Sequence, residues 1–308
     1  MSSPSTPHHG LFNAWRLQAR ANPLLTLGFL VALAILALLL AISAVHSMRS
    51  GNPEHFTLAI YGGLAGFVAT AGGAALVFML GQLKHKLQDG MLGFAAGMML
   101  AASAFSLILP GLEAAQALFS NWLAAAVVVA GIGLGSLLML GLDKFTPHEH
   151  ASTGPCGPEY RRISGIWLFV FAIALHNIPE GMAIGVSFAQ GDFSVGLPLT
   201  TAIVIQDIPE GLAVALALRT IGMGTLRAVL IAAATGLLEP LGAVLGFAMA
   251  SSIAIAYPLS MGIAAGAMIF VVSHEVIPET HRNGNQTVAT IGLMAGFMLM
   301  MFLDTALG

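Results

Sequence analysis

Two six-residue strings in this chain have the residue types and spacing for metal chemistry: HNIPEG at 176–181 and QDIPEG at 206–211. On a helix His176 and Glu180, four apart, share a face, as do Asn177 and Glu180, three apart. Gln206 with Glu210, and Asp207 with Glu210, repeat the arrangement. A carboxylate one turn from an imidazole or an amide gives two donor atoms that converge on one point. Glu239, in a third apolar stretch, adds another carboxylate, and Glu180 and Glu210 could each bridge two ions. One imidazole, amide oxygens and several carboxylates, with no thiolate, suit a borderline divalent metal: Zn²⁺ first, then Cd²⁺, Fe²⁺ or Mn²⁺. His176 argues against Ca²⁺ and Mg²⁺, which prefer all-oxygen sites.

The elements that must position these residues are apolar. Of the 308 residues, 57% are hydrophobic and 8% charged, against about 25% charged in a soluble domain. With 36 glycines, the composition is that of an all-α polytopic membrane protein, in which glycine is more frequent than in soluble helices. A bilayer-crossing helix needs about 20 apolar residues. Nine stretches qualify: 24–45, 56–80, 91–112, 120–142, 164–190, 194–219, 225–250, 257–279 and 287–307. The first is too long for a signal-peptide core and reads as an anchor. With the N-terminus inside, ten of the eleven Lys and Arg fall on the cytoplasmic side and only Arg49 falls outside, as the positive-inside rule requires. The C-terminus then faces out. These scattered basic residues make no nucleic-acid patch, and the lone Cys156 excludes an intrachain disulfide and a thiolate cluster.

Within the expected spans lie Glu180, Asp207, Glu210, Glu239 and Glu275, with Glu279 at a margin, and no Lys or Arg. Ionisable residues at membrane depth are costly and face a bundle interior or a cavity with a function. Five carboxylates without a fixed cation call for a counter-charge from outside, as metal ions or protons. His176, Asn177, Gln206, Asp207 and Glu239 all fall near the centres of their spans; Glu180 and Glu210 lie one turn away, about 6 Å. Pro179 and Pro209 each lack an N–H and crowd the carbonyl four residues back, so kinks and released carbonyls are expected. Adjacent spans run antiparallel, which relates the two strings by a pseudo-two-fold axis in the membrane plane, a recurring transporter plan.

HNIPEG, QDIPEG, the EP at 239–240 and HEVIPE at 274–279 resemble the ZIP (Zrt/Irt-like) family of metal transporters, its bacterial branch above all. The likeness covers 56–308. It implies an eight-helix core in a 3+2+3 inverted repeat; the extra transmembrane helix and linker at 24–55 depart from that plan, and residues 1–23, with Ser, Pro and two His, read as a disordered cytoplasmic tail. The likeness implies import of metal into the cytoplasm across a bacterial inner membrane through a binuclear site. His176, Glu180, Gln206 and Glu210 would form one subsite; Asn177, Asp207 and Glu239 the other, sharing Glu180 and Glu210. It further implies elevator-like motion of one helix bundle against a second, on which family members form homodimers. Gln206 stands where many relatives have His.

At the cytoplasmic end, Asp143, His274 and Glu275, with His148 and His150 in the loop 143–163, share one membrane side and ligand chemistry, as an exit or regulatory site would. Met98 and Met99 read as packing. GxxxG spacings at Gly62/Gly66, Gly242/Gly246, Gly262/Gly266 and Gly292/Gly296 mark close helix contacts. Among competing readings, an intramembrane metalloenzyme fails on its motif: His274-Glu275 is followed by Pro278, and the next His is His281, whereas HExxH zinc sites need His at i and i+4. No catalytic cofactor is expected. A proton-driven exporter remains the alternative, because residue types do not encode direction.

Overall fold

In the computed structural model, residues 16, 18–50, 53–80, 83–145, 148–150, 154–156, 165–220, 222–250, 253–281 and 283–307 are described, the backbone alone at 43–50, 148–150, 154–156, 165–173, 175, 176 and 220. The elements are α1 (Pro23–Ser50), α2 (Pro53–Ala75) running on into α3 (Val77–Leu80), α4 (His85–Ala102) joined through a π-helical segment (Ser103–Ile108) to α5 (Leu109–Gln116), and α6 (Asn121–Phe145). A small antiparallel hairpin, β1 (His148–His150) with β2 (Gly154–Cys156), pairs His148 with Cys156. Then come α7 (Gly165–Phe188), α8 (Phe193–Thr220), α9 (Thr225–Thr235), α10 (Leu238–Ala250), α11 (Ala256–Val271), a second π segment (Val272–Val276), α12 (Ile277–His281) and α13 (Gln286–Leu307). Among the described residues, eight helical segments are long and apolar enough to cross a bilayer. The expected stretch at 164–190 is the 24-residue α7. The chain is an all-α polytopic membrane protein. Large apolar side chains such as Leu24, Met79 and Trp122 stand outward, as lipid-facing residues must.

Four helix pairs carry the packing: α2 on α8, α10 on α7, α4 on α13 and α11 on α6. Glycines make each pair close. A methyl group at Gly97 would overlap the Leu293 carbonyl, and one at Gly296 the Phe94 carbonyl; Gly135 and Gly266 meet Ile263 and Ile132 in the same reciprocal way. Between α7 and α10, Gly185 faces Ala243 O and Gly246 faces Met182 O. With no hydrophobic drive between helices in lipid, small residues permit the backbone approach that dispersion and Cα–H···O contacts require. The expected glycine spacings at 242/246, 262/266 and 292/296 are therefore contacts inside this chain. Gly62/Gly66 differs: Gly62 faces the Ile184 side chain, and Gly66 faces the carboxylate of Glu239.

These contacts spell out the inverted repeat. The pairing of α2 with α8 mirrors that of α10 with α7, and α4 with α13 mirrors α11 with α6. The two π segments also correspond, each placed two residues before a proline, Pro110 or Pro278. A proline ring crowds the carbonyl four residues back, and a wider turn makes room for it. Two sets of helices, α2 with α7–α10 and α4–α6 with α11–α13, meet along broad contacts of α4 with α8 and of α11 with α7.

α1 lies outside this repeat and touches both sets. Phe29 stacks on Phe145 of α6 with ring centroids 5.6 Å apart. Leu39 is buried with Met182 of α7, Met249 of α10 and Ile263 of α11.

Candidate metal centre

α7 and α8 carry the two IPEG strings. Both helices run on through their prolines at 179 and 209, so the side chains keep their helical spacing and Asn177 and Glu180 share one face. The span 225–250, expected as one helix, is broken at Gly236–Leu237, which puts Glu239 in the first turn of α10. Gly236 sits against Thr70 and Glu239 there.

The three helices converge. One carboxylate oxygen from each of Glu180, Asp207 and Glu210 lies within 4.8 Å of the other two. Asn177, Glu180, Gln206, Asp207, Glu210 and Glu239 are all buried. Asp207 and Glu239 interact directly through their carboxyl groups. Gln206 Nε2 donates to Glu180 Oε1 at 2.6 Å, and Thr70 Oγ1 donates to Glu239 Oε1 at 2.7 Å. Five acceptor oxygens meet no donor among the described residues: Asn177 Oδ1, Glu180 Oε2, Gln206 Oε1, Asp207 Oδ2 and Glu239 Oε2. Buried acceptors left without donors are costly, and like charges this close repel. A divalent cation answers both at once. The donor set of carboxylate and amide oxygens fits one, and the side chain of His176, the expected nitrogen ligand, lies outside the described residues.

The sequence reading missed two residues of this site. Gly66 supplies the space: a methyl group there would overlap Glu239 Oε2 and come within 3.1 Å of Asp207 Oδ2. Its GxxxG spacing hid that role. Thr70 was hidden because a lone Thr in an apolar helix carries no signal of its own.

Near the ends of α6 and α11, Asp143 Oδ1 lies 3.5 Å from His274 Nε2, and Asp143 Oδ2 lies 3.2 Å from Lys144. The Asp143 side chain is 1% exposed and that of His274 40%. His274 and Glu275 both belong to the second π segment, where helix widening frequently marks functional positions. The side chains of His148 and His150 lie outside the described residues. Met98 and Met99 are buried in the main core.

A cavity of about 440 Å³ opens at the opposite end of the helices, lined by Ser106, Glu113, Asp192, Tyr257 and Asp304 among others. Ser106 Oγ donates to Asp304 at 2.6 Å. Gly131 on α6 and Gly292 on α13 are equivalent in the repeat, and the same offset carries Asp143 onto Asp304. The Ser106–Asp304 and Asp143–His274 pairs thus occupy the two mouths of the fold in matching places.

Comparison with known proteins agrees with this geometry. Residues 146–304 match the family model described as ZIP zinc transporter. The chain is 62% identical over 309 residues to zinc transporter ZIPB of Bordetella bronchiseptica, covering all of both chains.

The chain belongs to the ZIP family.

It is also 42% identical over 246 residues to zinc transporter GufA of Myxococcus xanthus, across 80% of this chain and 96% of that one. It is 32% identical over 327 residues to human zinc transporter ZIP11, across 78% of this chain and 94% of the relative. ZIP membership places the protein among transporters, not enzymes.

Proposed function

We propose that this ZIP protein carries zinc, and with it Cd²⁺, Fe²⁺ or Mn²⁺, into the cytoplasm through the buried site between α7, α8 and α10. The observation that carries the reading is the set of five oxygens on three helices, around a carboxylate cluster, that meet no donor among the described residues. Such a set is a preformed cage for a cation and a poor structural core. Glu180 and Glu210 bridge two ions, with His176 and Gln206 on one side and Asn177, Asp207 and Glu239 on the other. The acidic cavity between Glu113, Asp192 and Asp304 gathers cations at the outer mouth. Asp143, His274 and Glu275, with His148 and His150, take metal leaving toward the cytoplasm. The relatives are named zinc transporters, which puts zinc first among the ions.

The N-terminus faces the cytoplasm and the C-terminus faces out, in a bacterial inner membrane, since that orientation leaves one basic residue outside. The residues 56–308 are the transporter core, and the division into two helix sets supports alternating access by sliding one set past the other. The test is uptake of Zn²⁺ into liposomes with an enclosed dye, beside Glu180→Ala and Glu210→Ala, with internal pH read in parallel. Saturable flux that collapses in both variants is expected. Flux equal to wild type in both would overturn the reading, and flux only from the cytoplasmic face would assign export.

A further inference from the structure

The contacts that define the repeat assign a role to Thr70. A methyl group at Gly181, in the first IPEG string, would strike the backbone of Glu239; one at Gly211, in the second, would strike the backbone of Thr70. Three residues further along each partner helix, Gly242 faces Ile178 and Gly73 faces Ile208, again equivalent positions of the two strings. The pseudo-two-fold axis therefore carries Glu239 of α10 onto Thr70 of α2. One half of the repeat has a carboxylate at this position and the other a hydroxyl.

The two equivalent side chains meet. Thr70 and Glu239 are buried, 3% and 0% exposed, and the 2.7 Å bond from Thr70 Oγ1 occupies Glu239 Oε1. Gly66, one turn earlier on the face of α2 that carries Thr70, clears room for the other oxygen, Oε2, which no donor reaches among the described residues and which stands beside Asp207 Oδ2. A hydroxyl can donate one hydrogen bond. Here it takes one oxygen of a ligand and leaves the other aimed at the cluster.

We propose that Thr70 is a positioning residue that makes Glu239 a one-oxygen ligand and thereby favours a small ion over a larger one. This rests on the transport reading above. Zinc takes few ligands at about 2.0–2.2 Å from carboxylate oxygen, which a single oxygen satisfies. Larger cations take more oxygens at longer distance and accept both oxygens of one carboxylate. Without the hydroxyl, Glu239 Oε1 is free to turn into the site.

The experiment compares Thr70→Val, which keeps the side-chain shape, with Thr70→Ser, which keeps the hydroxyl, in liposomes presented with Zn²⁺ or Cd²⁺. Thr70→Val should raise the KM for Zn²⁺ about ten-fold, the lower end of what losing a hydrogen bond behind a metal ligand costs. Its maximal rate should hold, and its Cd²⁺ preference should rise. Thr70→Ser should restore both. X-ray absorption of the purified Zn²⁺-loaded proteins reads the same effect without transport, as a higher coordination number in Thr70→Val. Unchanged KM and ion preference in Thr70→Val would overturn the proposal. So would a fall in maximal rate alone that Thr70→Ser fails to restore. Glu180→Ala run alongside separates the two readings: if it still transports, the transport site itself is wrong, and if it is dead while Thr70→Val matches wild type, only the role of Thr70 falls.

Discussion

Gln206 Nε2 donates to Glu180 Oε1 at 2.6 Å and thereby joins the two IPEG strings across α7 and α8. The bond fixes one oxygen of the central carboxylate and leaves Glu180 Oε2 and Gln206 Oε1 without donors among the described residues. Replacing Gln206 by Ala strands Glu180 Oε1 as well, a cost of about 1–3 kcal/mol for a buried acceptor. The variant should bind Zn²⁺ roughly ten-fold or more weakly, read by titration of the purified protein. Gln206→His, which can donate through a ring nitrogen, should retain more of the affinity.

The carboxylate cluster makes the metal-free protein pay for its own site. Asp207→Asn replaces one of the crowded buried carboxyls by a neutral amide, so without metal it should melt higher than wild type, by a few degrees for each kcal/mol gained. Zinc should reverse the order. A ligand at a hundredfold excess over its Kd adds about 2.7 kcal/mol, and wild type should collect more of that than the variant. Thermal melts with zinc and with chelator check both signs.

Gly66→Ala should abolish uptake, because the added methyl would occupy the space of Glu239 Oε2. Gly72→Ala, on the same helix with nothing within 4 Å of the added carbon, should transport as wild type. A pair of uptake curves decides it.

Gly97→Ala should destabilise the fold by about 1–3 kcal/mol, the usual penalty for overpacking, since its methyl would overlap the Leu293 carbonyl. Gly133→Ala, which meets nothing, should leave the melting temperature within a degree or so. Loss of stability in both would mean that helix flexibility matters here and backbone contact does not.

Asp89 is buried on α4 and accepts side-chain amides from Asn283 at 2.9 Å and Asn285 at 2.8 Å, tying the α12–α13 turn to α4. Asp89→Ala should expose 283–285 to hydrogen exchange or protease while leaving central-site metal affinity within two-fold. Bonds to charged groups are worth about 1.5–3 kcal/mol each, so the turn should open well before the core.

The transmembrane plan and the clustering of the central polar residues were legible in the sequence because both follow periodic rules. Apolar length gave the spans, and the i,i+3 and i,i+4 spacing of HNIPEG and QDIPEG gave the shared faces. What was not legible depends on contacts between distant segments. The break at Gly236–Leu237 reads as more apolar helix. Asp89, Asp192 and Asp304 look like ordinary polar residues at helix ends until the fold gives them partners or gathers them around a cavity. Gly66 shows the limit most plainly: its spacing is that of a helix contact, and its neighbour is a carboxylate.

α1 leans on α6 through Phe29 and Phe145 and on α7, α10 and α11 through Leu39, so it is fastened to both helix sets along one length. Two bodies joined by a common beam cannot shift past each other without straining it or peeling it from one side. The resistance to that shear is set among apolar side chains around the buried Leu39, and lengthening or trimming that one side chain alters its stiffness without changing any residue of the carboxylate cluster.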